Sequence, residues 1–232
     1  MKDDPAKNGR ASFSYGVRLK YSETSLLEFT HRLASADPTP GGGSASAAVG
    51  ALSAGLVHMV AQLTAGSPKF AHVADRAKRI ADEAEKLMSR FVAAIDEDAQ
   101  AFDRVSQAYR LPKSTQAERT ARSAAIQAAL YEAALPPLRV AEMAREAAAL
   151  AVELAEFGNP NAISDVGCAA LFAAAAARGA SFNVSINANA VKDRAQAGDL
   201  LRHSHHTLAQ VGVLVEVALG KVEASVEPDA SA

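Results

Sequence analysis

The sequence predicts an all-α fold: a single-domain helical bundle with long packed helices. Alanine fills 54 of 232 positions while aromatics make up 5% and tryptophan is absent, which suits helices that approach one another through small side chains. Apolar residues recur at alternating steps of three and four over long stretches, the period of one helix face. Capping residues and Pro/Gly clusters punctuate those stretches where helices should start and stop.

Taken in order, residues 1–21 mix Lys2, Asp3, Asp4, Lys7, Arg10, Arg18 and Lys20 with no apolar run, which reads as a loose tail and not a targeting segment. The helical domain is expected over 22–225, with a second tail at 226–232. Ser25, three residues before Glu28, forms a capping box ahead of Leu26, Leu27, Phe29 and Leu33, so a first helix should run to Ala36. Asp37-Pro38-Thr39-Pro40-Gly41-Gly42-Gly43 cannot continue it. A second helix follows from Ser44 to Thr64, on which Gly43, Ala47, Ala51 and Gly55 form a nearly bare stripe that another helix can approach closely.

Ser67-Pro68 opens a third, long helix whose Val73, Ala77, Ile80, Ala84, Leu87, Phe91, Ala94, Asp98, Ala101 and Val105 make one continuous seam. Leu111-Pro112 breaks it, and Thr115 with Glu118 caps the next helix, which Pro136-Pro137 should interrupt or kink before a further pattern from Leu138 to Phe157. Gly158-Asn159-Pro160 is turn chemistry. From Asn161 to Arg178 the chain is almost pure alanine with Leu171 and Phe172, a helix buried on most sides that Gly179 should end. Ser181 to Asn187 alternates like a strand but sets Asn183 and Asn187 on one helix face, and helix is the reading adopted. A last amphipathic helix runs from Asp193 to Ala224.

Composition limits function. A formal charge of -2 lacks the basic footprint of a nucleic-acid binder. The single Cys168 permits no internal disulfide and no multi-cysteine metal site, which fits a cytoplasmic protein. Pro38 to Pro68 carries no Asp, Glu, Lys or Arg and is long enough to cross a bilayer, but its Ala, Gly and Ser content, with His58 and Gln62, gives a weak transfer energy and no membrane role is expected.

Four features could carry chemistry. Asp98 lies in the apolar seam of the third helix, where desolvation raises a carboxyl pKa and invites proton transfer; the alternative is a satisfied structural carboxylate. Its neighbours Asp96 and Glu97 should face solvent. Asn159-Pro160-Asn161-Ala162-Ile163-Ser164-Asp165 gathers more polar groups than one helix cap needs, and it either satisfies a buried turn or lines a pocket, with Asp165 the leading candidate. Gly41-Gly42-Gly43-Ser44 offers backbone amides at a helix start, or simply a tight turn for close packing, and it is no nucleotide P-loop. His203, His205 and His206 read as a solvated face with no acidic partner nearby in the chain, and His58 as a core histidine, so no metal site is expected.

In register these pieces resemble the cyclodeaminase/cyclohydrolase family of folate enzymes. The resemblance rests on Tyr21-Ser22-Glu23, Leu27-Glu28-Phe29, Pro38 to Ser44, Met59 to Thr64, Asp96 to Phe102, Leu111-Pro112-Lys113, Gly158-Asn159 leading to Ser164-Asp165, and Asn183 to Asn187. It implies a homodimer that takes a tetrahydrofolate derivative and uses no metal or redox cofactor. The implied catalytic pair is Asp98 and Asp165, one as general acid/base and the other against the pterin or its cation. Gly41, Gly42, Gly43 and Ser44, with Asn161, Ser164, Asn183 and Asn187, are the implied substrate-binding groups. Lys113, Arg122 and Lys192 are candidates for the glutamate tail of the folate. Hydrolysis of 5,10-methenyltetrahydrofolate to 10-formyltetrahydrofolate is the expected reaction, with ammonia-releasing cyclodeamination of 5-formiminotetrahydrofolate as the alternative. A third possibility, of another class, is a helical dimer that binds folate without catalysis.

Overall fold

A computed structural model describes residues 20–226, and every regular element among them is helical. The helices are α1 (Leu26–Leu33), α2 (Gly42–Ala65), α3 (Ala74–Arg110), α4 (Gln116–Phe157), α5 (Ile163–Ala190) and α6 (Arg194–Val226), with 3-10 turns at Tyr21–Glu23, Pro68–Val73 and Pro160–Ala162. Most of the expected N-terminal tail, 1–19, and residues 227–232 of the C-terminal one lie outside the described residues. Tyr21, assigned to that tail, is instead tied to the domain: its N–H donates to Asp96 at 2.7 Å.

Local chemistry sets the helix ends. Ser25 Oγ accepts from Glu28 N at 3.2 Å, and Thr115 and Glu118 complete both halves of their capping box. α1 is shorter than expected, ending at Leu33, and its Leu26 and Leu27 stay exposed while Phe29 alone of the apolar set packs on the core.

Two predicted breaks do not occur. α4 runs through Pro136-Pro137 as one helix. Proline removes the N–H that would have bonded the carbonyl four residues back, and for Pro137 that carbonyl is Ala133's. Asn187 Nδ2 donates to it at 3.0 Å, so α5 repairs the ladder from outside. Likewise α5 passes through Gly179 to Ala190. A Cβ on Gly179 would lie 2.4 Å from Ser46 Oγ, so the glycine serves the contact between α2 and α5 and does not terminate a helix.

α4 packs against α2, α3, α5 and α6, while α2 lies between α3 and α5 and α6 lies beside α5. α2 and α5 are antiparallel: Gly42 meets Asn183, Gly179 meets Ser46, and Ser53 Oγ donates to Ala169 O at 2.7 Å. α3 and α4 are antiparallel too, with exposed ion pairs Arg90–Glu146, Arg104–Glu132 and Glu97–Arg139 marking their register; such pairs contribute about 0–1 kcal/mol each.

The α3 seam is buried as read, with Ala77, Ile80, Ala84, Leu87, Phe91, Ala94 and Ala101 facing the core. On α2 the bare stripe drifts. Gly43, Ala47, Gly50, Ala54, Val57 and Ala61 are buried while Ala51 and Gly55 are only half-buried, because successive steps of four rotate off one face by about 40° each. Gly50 is the position of closest approach, where an added Cβ would meet Phe91 Cε1 at 2.2 Å. α2 and the span Pro160–Ala190 are each apolar and long enough to cross a membrane by composition, yet half of each is buried inside the bundle. Their other sides form an uncovered apolar face.

Candidate active site

The first turn of α2 and the middle of α3 build one polar centre. A cis peptide joins Thr39 to Pro40, and the chain enters α2 through Gly41. Ser44, the third residue of the turn, donates its N–H to Asp98 Oδ2 at 2.8 Å, and its hydroxyl lies 3.0 Å from the same oxygen and 2.9 Å from Ile95 O. Oδ1 rests over Gly43, where an added Cβ would lie 2.1 Å away. Glycine stands at 43 because a carboxylate occupies the space of its side chain. Burial pushes the Asp98 carboxyl above the ordinary carboxylate range, outweighing the pull of the Ser44 hydroxyl and N–H. A carboxyl raised in this way holds a proton more readily than a solvated one.

Asn183 closes the other side. Its Nδ2 donates to Gly179 O at 2.9 Å and stands 3.5 Å from the Cβ position of Gly42. Phe102, Phe182 and Ile186 are exposed around this end, with Phe182 at 61% and Ile186 at 72%.

Asp96 departs from the solvent-facing expectation. It accepts from Tyr21 N, Ser22 N and Ser22 Oγ, and Tyr21 Oη lies 3.1 Å from both Thr39 O and Thr39 Oγ1. The N-terminal turn is thus pinned to the lead-in of the glycine segment. Tyr21 and Thr39 were missed as site groups because helix periodicity says nothing about a partner 75 residues away. Their only signal was membership in the matched motifs. Glu97 faces outward and pairs with Arg139 at 2.6 Å.

Other candidates fall elsewhere. Asn187 is committed to Ala133 O. Arg122 donates to Tyr109 O at 2.9 Å and stacks on that ring, and Lys192 Nζ donates to Ser123 Oγ at 3.1 Å. Lys113 sits in the α3–α4 loop, its carbonyl receiving Arg119 at 3.3 Å. All three basic groups lie beyond the Asp98 end of the bundle. His58 Nδ1 donates to Ala81 O at 2.9 Å, a core contact. His203 has an acidic partner after all, Glu142 Oε1 at 2.9 Å, supplied across the α4–α6 contact where chain proximity could not reveal it. Among the described residues no three His, Cys, Asp or Glu side chains are grouped to hold a metal.

The Asn159–Asp165 cluster lies at the opposite end. Asn159 is largely structural: its N–H donates to Thr64 Oγ1 at 3.0 Å and its Oδ1 accepts from Asn161 N at 3.1 Å. Asn161 and Ser164 are exposed, and Asp165 is half-buried. Eighteen residues of α5 separate Asp165 from Asn183, about 27 Å along the helix axis. One chain therefore does not bring Asp98 and Asp165 together. Two depressions of about 430 and 290 Å³ run along the α4–α6 side, and neither is lined by Asp98, Asp165 or the glycine segment.

The model of the family described as formiminotransferase-cyclodeaminase matches residues 25–206. A methenyltetrahydrofolate cyclohydrolase of Methylorubrum extorquens is 44% identical over 188 residues, covering 81% of this chain and 90% of that protein. A formimidoyltransferase-cyclodeaminase of Mus musculus is 33% identical over 210 residues, covering 88% of this chain but only 38% of that longer protein. The crystal structure of a formiminotetrahydrofolate cyclodeaminase from Thermotoga maritima superposes with a TM-score of 0.80 at 30% identity, covering 88% of this chain and 98% of that one.

Proposed function

Because the chain belongs to the formiminotransferase-cyclodeaminase family, we propose that it is an enzyme of folate one-carbon metabolism that hydrolyses 5,10-methenyltetrahydrofolate to 10-formyltetrahydrofolate. The observation that carries the chemistry is the desolvated Asp98 carboxyl poised over Gly43. The choice of reaction rests on the 44% identical cyclohydrolase, which this chain matches over 90% of its length.

In this reading Oδ2 is held by Ser44 and Oδ1 faces the substrate. Asp98 accepts a proton from water as its oxygen adds to the cationic carbon bridging N5 and N10. The tetrahedral adduct then collapses with cleavage of the carbon–N5 bond. Proton return to N5 leaves the formyl group on N10, and one proton is released overall. A carboxyl with a raised pKa suits both halves of this transfer. Asn183 and the backbone amide of the exposed Gly42 at the start of α2 orient polar edges of the pterin, and Lys113 is the basic group free to meet the glutamate tail. The enzyme is a homodimer in the cytoplasm, needing no metal or redox cofactor.

Cyclodeamination of 5-formiminotetrahydrofolate is the second reading, favoured by the likeness to the Thermotoga maritima structure. A paired assay separates them. Near-ultraviolet absorbance of the methenyl bridge should decay faster than an enzyme-free blank when 5,10-methenyltetrahydrofolate is supplied. Growth of that absorbance with ammonia release from 5-formiminotetrahydrofolate would assign the second reaction. Silence in both with folate bound would leave a non-catalytic binding protein.

A further inference from the structure

Two carboxylates on one turn of α3 hold the two ends of a single stretch of chain. Asp96 and Asp98 are two residues apart, so their side chains leave the helix about 200° apart. Asp98 takes the downstream end, accepting from Ser44 N at 2.8 Å. Asp96 reaches the upstream end through an intermediary. Its Oδ1 accepts from Tyr21 N at 2.7 Å and its Oδ2 accepts from Ser22 Oγ, while the Tyr21 hydroxyl lies 3.1 Å from both Thr39 O and Thr39 Oγ1. The stretch from Thr39 to Ser44, which sets Gly43 over Asp98, is therefore fastened to α3 at both ends.

Few other polar contacts hold the upstream end. Among the described residues, Tyr21 is the only one outside 35–44 that hydrogen-bonds residues 36–40. α1, which lies between Tyr21 and Thr39 in the chain, adds only Phe29 to the core and leaves Leu26 at 78% and Leu27 at 69% exposure. Asp96 is half-buried and makes no ion pair among the described residues, since the nearby Lys20 pairs with Glu23 at 2.6 Å. Its carboxylate is used as an acceptor for the N-terminal turn.

Resting on the folate reading above, we propose that Asp96 is a positioning residue: acting through Tyr21 and Thr39, it fixes the glycine segment over Asp98 and so sets the rate of turnover. Gly41, Gly42 and Gly43 have the widest backbone freedom of any residue type, so the path of this lead-in must be imposed from outside. The tolerance is small, because the Asp98 carboxylate already fills the space of a Gly43 side chain. A displacement of about 1 Å at a reacting group lowers turnover on the order of 100-fold.

Amide hydrogen exchange read residue by residue, together with steady-state turnover, tests the role. Tyr21→Phe keeps the ring that packs on the core and removes only the hydroxyl. Without its link to Thr39, exchange at Ser44 N–H should quicken about tenfold, while amides in the middle of α2 keep wild-type rates. kcat at saturating 5,10-methenyltetrahydrofolate should fall about tenfold in the folded protein. A residue that only stabilised the fold would lower the melting temperature and move neither value. Asp96→Ala should exceed both effects, and Asp96→Asn, which keeps an acceptor for Tyr21 N–H, should recover most of the lost turnover. Should Asp96→Ala fail to fold, Tyr21→Phe carries the test alone. Arg32→Ala breaks the exposed Glu28–Arg32 pair on α1 without touching Tyr21 and should match wild type in both measurements. Unchanged Ser44 exchange in Tyr21→Phe would overturn the proposal, and so would quickened exchange with full kcat. An inactive Asp96→Asn with wild-type exchange would place the carboxylate in the chemistry itself and overturn a positioning role. Exchange needs no substrate: if wild type turned over neither folate, the reading of the reaction would fall, while exchange would still decide whether Asp96 holds the segment.

Discussion

Replacing Gly43 by alanine tests the centre of the site with one methyl group. The new Cβ would lie 2.1 Å from Asp98 Oδ1, 2.5 Å from Cγ and 2.7 Å from Oδ2, so the carboxylate must retreat by about 1 Å before it reaches ordinary contact. Retreat lengthens the 2.8 Å bond from Ser44 N. A hydrogen bond to a charged group contributes about 1.5–3 kcal/mol, and a misplacement of about 1 Å lowers turnover on the order of 100-fold. Gly43→Ala should therefore unfold about 2 kcal/mol more easily in denaturant melts and lose methenyl-bridge hydrolysis far beyond that destabilisation. Gly42→Ala is the matched control for folding, since its Cβ would meet Asn183 Nδ2 at an ordinary 3.5 Å. Full turnover in folded Gly43→Ala would refute the placement of Asp98 in the chemistry.

The same structure fixes three other outcomes. Gly50→Ala drives a methyl to 2.2 Å from the fully buried Phe91 ring, far from Asp165 and off the polar centre; overpacking near 3 kcal/mol offset by about 1 kcal/mol of helix propensity leaves a net loss of about 2 kcal/mol, read by chemical denaturation, with kcat retained. Asn187→Ala leaves the Ala133 carbonyl without its donor and should destabilise by about 1–3 kcal/mol; a variant as stable as wild type but inactive would return Asn187 to the list of substrate contacts. Burial raises the folded-state carboxyl of Asp98, so the folded protein binds that proton more tightly than the unfolded chain does. The stability of wild type relative to Asp98→Asn should grow as pH falls through the raised value and be complete below about 3.9, the unfolded value. Melts from neutral to acid pH that diverge in the opposite sense would contradict it.

Much of the fold was legible because helix periodicity and capping are local. The α3 seam, the Thr115–Glu118 box and the helical choice at 181–187 all depend on neighbours within a turn. The misreadings share the opposite property. Pro136-Pro137 and Gly179 are helix breakers by local rules, and each is overruled by a residue supplied from another helix: Asn187 bonds the orphaned carbonyl, and Ser46 needs the space a Cβ would fill. Of the site, Asp98 was readable as a carboxylate in an apolar seam. The role of Gly43 was not, since its reason is a side chain 55 residues along the chain. The distance between Asp98 and Asp165 was equally hidden, because motif order carries no information on whether two helices run together or opposed.

Among the described residues, more than half of the buried apolar ones are alanine, and Phe91 is the only aromatic ring completely withdrawn from water. A methyl group removes little hydrocarbon from solvent, so unfolding exposes less apolar area per residue than in a leucine-rich bundle of equal length. Heat capacity of unfolding scales with that area and sets the curvature of stability against temperature. The heat-capacity increment per residue should accordingly fall at or below the usual 12–15 cal/mol/K. Its free energy of unfolding would then change slowly on cooling or warming, giving a broad working range from a core that contains very little bulk.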